Sequence, residues 1–135
     1  RLQKVLNAAA RFVYQLPKFC HITPVLKDLH WLPVKYRIMF KIILLVFKIL
    51  HGLAPTYLQD LIKVKPPCRY QLRSDDKFFL AVPKTKCKTF GDRAFYKAGP
   101  DLWNHLPLSL RNTNDLQKFK KDLKTHLFRV AFSEH

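Results

Sequence analysis

Carboxylates are the first place to look for catalysis in this chain, and they are scarce: nine Asp and Glu among 135 residues, against 25 Lys and Arg. Asp75-Asp76 is the only adjacent pair. A metal-dependent nuclease or polymerase needs carboxylates that converge on divalent ions, and a lone pair in a charged, proline-flanked stretch reads instead as a solvated turn. Six histidines are scattered along the chain, and the three cysteines stand at Cys20, Cys68 and Cys87. Zinc sites usually pair ligands about two to four residues apart, whereas Cys20 and His21 are directly adjacent and point in different directions. Three glycines leave no phosphate-cradling loop. The expectation is a chain with no catalytic residue, no metal site and no cofactor. The odd, wide cysteine spacing suits reduced thiols of a cytosolic or nuclear protein better than a secreted disulfide framework. Lys86 and Lys88 flank Cys87 and are the kind of neighbours that lower a thiol pKa, although a bystander role is the simpler reading.

The chemistry that the composition does support is electrostatic. The formal net charge is +16, and it does not reside in one tail: residues 1–67 carry 11 basic and 2 acidic residues, and residues 68–135 carry 14 and 7. A surface this positive attracts polyanions such as RNA, DNA or anionic membrane. Three basic clusters have aromatic residues nearby. Lys118, Lys120, Lys121, Lys124 and Arg129 flank an apolar stripe near the C-terminus. Lys84, Lys86, Lys88 and Arg93 lie close to Phe90 and Tyr96. Arg69 and Arg73 surround Tyr70. Cations neutralise phosphates and release counterions, and aromatic faces stack on unpaired bases. Each cluster alone also reads as a solvated face, and the phenylalanines, Trp31 and Trp103 as core. Lys84, Lys86, Lys88, Arg93, Lys118, Lys121 and Lys124 are the expected phosphate contacts.

The elements that must position these residues are mostly helical. Hydrophobic residues make up 48% of the chain, enough for a folded core. Leu2, Val5, Leu6, Ala9, Phe12, Val13 and Leu16 fall at helical spacing on one face. Thr23-Pro24 reads as an N-cap followed by proline at the first helical position. Residues 34–51 are apolar nearly all round and should form the central buried helix, capped by Gly52. Lys41 and Lys48 interrupt that run and argue against a membrane span. Pro55 opens a short helix, and residues 63–76 read as an exposed connection. Phe78–Val82 and Lys84–Lys88 have the makings of one short β-hairpin. Gly91-Asp92 starts a further helix, Pro100 a new turn, and Asn114 with Gln117 resembles a capping box ahead of the last helix. The fold class expected is mainly α, a compact helical domain around one central helix. It divides into an N-terminal helical subregion, residues 1–66, and a C-terminal basic subregion, residues 67–135, read as one structural unit. The start at Arg1 and the sole methionine, Met39, read as a fragment or processed product, and the first stretch has a helix pattern rather than that of a signal peptide.

Several short phrases occur in a fixed order: RLQKVLNAAARF from Arg1, HITPVLKDLHWLPVKYRI from His21, FKILHGLAPTYL from Phe47, KTFGDRAF from Lys88, LWNHLP from Leu102 and FKKDLKTHLF from Phe119. Taken together they make the chain similar to the C-terminal, post-palm region of LINE-type (non-LTR) retrotransposon reverse transcriptases, from Arg1 to about Arg129. The resemblance implies a parent protein with endonuclease and polymerase domains upstream, and a region here that holds template RNA or target DNA. It implies no catalytic residue, because the Tyr-x-Asp-Asp signature is missing. Leu6 stands where the family phrase would carry Gln, and the Cys-rich knuckle of some branches is also missing. The implied partners are RNA or DNA and the rest of a polymerase chain, in a ribonucleoprotein of nucleus and cytoplasm. Two other readings share the charge. One is a protein-interaction scaffold, with helix 34–51 packed on an absent polymerase thumb, or an inactive captured remnant. The other is a basic amphipathic helix, 114–129, lying on a membrane surface, although a membrane partner is not the expectation.

Overall fold

The helical periodicities become α1 (Leu2–Val13), α2 (Thr23–Asp28), α3 (Val34–Leu50), α4 (Thr56–Gln59), a 3₁₀ turn (Gly91–Arg93), α5 (Phe95–Asn104), α6 (Leu108–Arg111) and α7 (Leu116–Ser133). The structure is a computed structural model in which residues 1–65, 79–85 and 90–133 are described. The chain is mainly helical, and the described residues form no named strand. Their one extended pairing is an isolated antiparallel bridge between Val64 and Leu80. Of the expected hairpin, the described residues 79–85 hold no strand, and Leu80 pairs upstream with Val64. Phe78 and Lys86–Lys88 lie outside the described residues.

Local sequence explains where three helices stop. Each of α1, α2 and α3 closes with one residue in the left-handed region, Gln15 (φ 52°), His30 (φ 54°) and Gly52 (φ 67°). Each end carries the same two bonds. Around Gln15, Gln15 N donates to Phe12 O (3.2 Å) and Leu16 N to Arg11 O (2.9 Å). Around His30, the donors are His30 N to Lys27 O (3.0 Å) and Trp31 N to Leu26 O (2.9 Å). Around Gly52, they are Gly52 N to Ile49 O (3.2 Å) and Leu53 N to Lys48 O (2.8 Å). This is the Schellman pattern, which satisfies carbonyls a helix end would otherwise leave bare. Gly52 was legible as a cap. Gln15 and His30 were not, because a left-handed non-glycine costs on the order of 1–2 kcal/mol. The His30 ring stacks on Phe128, with centroids 5.3 Å apart.

Helix starts are shifted by a residue or two from the sequence reading. Thr23 is already helical, with Ile22 in the cap position and no side-chain cap bond. Asp115, rather than Asn114, caps α7: its carboxylate accepts from Gln117 N (3.2 Å) and Lys118 N (3.1 Å). Pro100 does not open a new turn; it lies inside α5, buried beside Gly99. A Cβ on Gly99 would sit 3.0 Å from Val46 Cγ2, so glycine lets α5 approach α3 closely.

By contacts the chain divides into two compact units: Arg1–Phe40 with Lys121–His135, and Lys41–Lys120. The division expected at 66/67 falls within residues 66–78, which are outside the described set. In the first unit, Ala10, Val25 and Leu26 are buried, with Leu6, Ile22 and Trp31 among the apolar side chains packed on them. Gln3 ties α1 to the start of α3, its Oε1 accepting from Val34 N at 2.8 Å. The apolar face of α1 is only partly buried. Leu6 and Ala10 face the core, whereas Leu2, Val5, Phe12 and Val13 are exposed. In the second unit, the core is aromatic. Phe119 is fully buried and stacks on Phe47 (4.1 Å) and, tilted, on Trp103 (5.9 Å). Burial along α3 concentrates in its second half, at Ile43, Val46, Phe47 and Ile49, while Ile38 is half exposed. No helix among the described residues is long and apolar enough to cross a membrane.

Candidate nucleic-acid interface

The last helix separates its functions by face. Phe119, Leu123 and Leu127 are buried, and Lys118, Lys121 and Lys124 are exposed. Three lysines at intervals of three sweep about 120° of the helix surface, at roughly 100° per residue, on the side away from the buried stripe. Like charges at this spacing repel, by a few tenths of a kcal/mol per pair. Lys118 also lies in the first turn, where the helix dipole disfavours a cation. Asp122 forms no ion pair with these lysines among the described residues. Partly buried His126 is held below the ordinary histidine value, first by burial and then by the Arg129 charge, so it adds no charge to the helix near neutrality.

A second basic group is built around a hydrogen-bonded cluster in the second unit. Thr85 Oγ1 donates to Asp92 Oδ1 (2.7 Å), and Lys97 Nζ donates to Thr85 Oγ1 (3.1 Å) and to Asp92 Oδ1. These bonds hold the Asp92 carboxyl below its usual value, the Lys97 hydrogen bond being the larger cause and the Thr85 hydrogen bond the next. Gly91 permits the approach, since a Cβ there would come within 2.8 Å of Thr85 Cβ. Lys84 precedes Thr85 and Arg93 follows Asp92, so one hydrogen bond brings both expected phosphate contacts to the same neighbourhood. Both are exposed. Asp92 is balanced by Lys97, which leaves the charges of Lys84 and Arg93 uncompensated by it. Phe90, 84% exposed, adjoins this cluster and presents a free ring face.

Lys86 and Lys88 lie outside the described residues, as do Arg69, Tyr70, Arg73, Cys68 and Cys87. Cys20 is a free thiol.

Two other arginines make internal bonds, and Arg111 is buried by its surroundings while Arg37 stays exposed. Arg37 Nε donates to Leu32 O (2.8 Å), and Arg111 Nε to Leu106 O (3.1 Å). Arg111 is 6% exposed, with its guanidinium 4.4 Å over the Phe79 ring. These two arginines close the same local device. In Leu32-Pro33-x-x-x-Arg37 and Leu106-Pro107-x-x-x-Arg111, the proline carbonyl accepts the first helical N–H groups, and the arginine reaches back to the leucine carbonyl. The repeat of Leu-Pro-x-x-x-Arg was the available signal, and it is too short to stand out as an internal repeat. Asn104 was also missed as a contact residue. Its amide grips Leu80, accepting from Leu80 N and donating to Leu80 O, both at 2.9 Å.

Among the described residues no group of three or more His, Cys, Asp or Glu is placed to hold a metal ion. Comparison with protein-family models, with curated proteins and with solved structures gave no match.

Proposed function

We propose that this chain binds nucleic acid without catalysis of its own, as the C-terminal region of a retrotransposon RNA-directed DNA polymerase that positions template RNA or target DNA. The observation that carries this reading is the face of α7, where Lys118, Lys121 and Lys124 are exposed and have no ion-pair partner among the described residues. A helix that tolerates its own repulsion along one face is relieved by a polyanion laid against it. Lys84 and Arg93, gathered beside the Asp92–Lys97 pair, add a second contact group, with Phe90 as a stacking surface. The ordered sequence phrases supply the retroelement context. Phosphate contacts of this kind set affinity and register and carry little base specificity.

The test is a salt series with a fluorescent RNA stem-loop and a matching DNA duplex. Log affinity should fall linearly with log salt. For the duplex, replacing Lys118, Lys121 and Lys124 with Ala should reduce the slope by about 2–3, at roughly 0.9 for each phosphate that is no longer neutralised. Alanine is favourable in a helix, so the variant should remain folded. Negligible binding by the unmodified chain at low salt, or an unchanged slope in the variant, would overturn the reading.

A further inference from the structure

The exposed stripe of α1 carries no charged side chain. Leu2 (69% exposed), Val5 (67%), Phe12 (85%) and Val13 (55%) share one arc of the helix with exposed Ala9. The arc runs roughly 16 Å along the axis at about 1.5 Å per residue. The adjoining arc, with Leu6 and Ala10, is already packed on the core of its own unit, so the stripe continues an apolar surface beyond what that core covers. Isolated exposed apolar residues need no explanation, but a contiguous helical stripe does.

Shape and charge say what fits it. Ala8 and Ala9, both exposed, form a notch between Leu2 and Val5 on one side and Phe12 and Val13 on the other. Small residues flanked by large ones accept a side chain from a crossing helix, whereas insertion into a bilayer favours an unbroken wedge. One long edge of the stripe is a groove bordered by Lys4, Arg11, Gln15 and Lys18. A concave edge suits a rod better than a plane. The whole stretch from Arg1 to Lys27 contains no Asp or Glu. Two copies of α1 would therefore meet basic edge to basic edge, in molecules each carrying a net +16, with no acid in the helix to offset the repulsion. The occupant that satisfies both features is an amphipathic helix with apolar anchors about one turn apart and acidic residues beside them.

We propose that α1 is a docking face for an acidic amphipathic helix of a partner protein. The site is distinct from the nucleic-acid contacts on α7 and does not depend on them.

The test uses the full chain and a display library of helical peptides in which apolar positions at helical spacing are fixed and the flanking positions are free. Enriched peptides should carry Asp or Glu at the flanks. They should bind Val5→Glu and Phe12→Asp variants at least about tenfold more weakly. Both substitutions fall on exposed positions, and an unchanged thermal midpoint confirms folding. A Lys4→Glu, Arg11→Glu double variant should lose the acidic peptide and bind the same peptide with its acids changed to Lys. Absence of enrichment, enrichment of peptides that bind the Phe12→Asp variant equally well, or failure of the charge swap would each overturn the proposal. Phe12-dependent binding to phosphatidylserine vesicles without any peptide binding would assign the face to membrane and overturn it as well.

Discussion

Replacing Asn104 should destabilise the second unit out of proportion to its half-buried position. Val64 and Leu80 form a non-hydrogen-bonded antiparallel pair. The bonds that define the bridge run from Lys65 N to Phe79 O (3.0 Å) and from Ala81 N to Lys63 O (2.8 Å), so the N–H and C=O of Leu80 itself point away from residues 63–65. Leu80 is 2% exposed, and the Asn104 amide satisfies both of those groups, each at 2.9 Å. In Asn104→Ala a donor and an acceptor are orphaned near the core. At roughly 1–2 kcal/mol for each, the low part of the usual range because Asn104 is only half-buried, the loss is about 2–4 kcal/mol. Asn104→Asp keeps an acceptor for Leu80 N but sets a carboxylate against Leu80 O, and should cost at least as much at neutral pH. Urea unfolding followed by circular dichroism gives the magnitude, and hydrogen exchange of the Leu80 amide gives the location, with protection falling in both variants. A loss below about 0.5 kcal/mol in Asn104→Ala, within the range of ordinary surface substitutions, would refute the reasoning even if exchange at Leu80 changed.

Two further outcomes follow from the same unit. Phe119→Ala removes a fully buried ring stacked on Phe47 and should cost about 3–5 kcal/mol. Phe119→Leu keeps most of the volume and should cost distinctly less; equal losses in denaturant unfolding would show that stacking and shape, rather than cavity formation, dominate. Asp92 should titrate below 3.8, the usual aspartate value, in a carbon-detected NMR titration, and Lys97→Met should move the midpoint up. Because its folded pKa is depressed, Asp92 contributes stability that is fully present above about pH 4 and is lost as pH falls through the folded value. Asp92→Asn should flatten that part of the acid-stability profile, and an unchanged profile would mean the Lys97 and Thr85 bonds do not persist in solution.

Helical character was readable because it is written locally. Spacing of apolar residues placed α1, α3 and the start of α7 within a residue or two, and Gly52 announced its cap through the one property only glycine has. The end residues that escaped, Gln15 and His30, are disfavoured in the left-handed region and are held there by two backbone bonds apiece, which a propensity argument cannot anticipate. The exposed lysines of α7 were legible for the same reason as its core stripe, since one helical period fixes both faces. Phe78–Val82 looked like half of a hairpin. The extended pairing of Leu80 was within reach, but its partner Val64 was not, because two short extended segments give no register without the loop geometry between them.

A basic, mainly helical chain with most of its helix boundaries could be read from the residues alone, since charge is a sum over residues and helices follow a 3.6-residue period. Tertiary structure decided what touches what. It turned Leu6 and Ala10 of α1 toward a core and left the neighbouring Leu2, Val5 and Phe12 outside, a choice that helical spacing alone does not make. It buried Arg111 over Phe79, and it brought Asn104 to a backbone 24 residues away. It also set Lys84 and Arg93 on either side of the Thr85–Asp92 bond. Each of these depends on groups in different elements whose hydrogen bonds and packing exist only after folding.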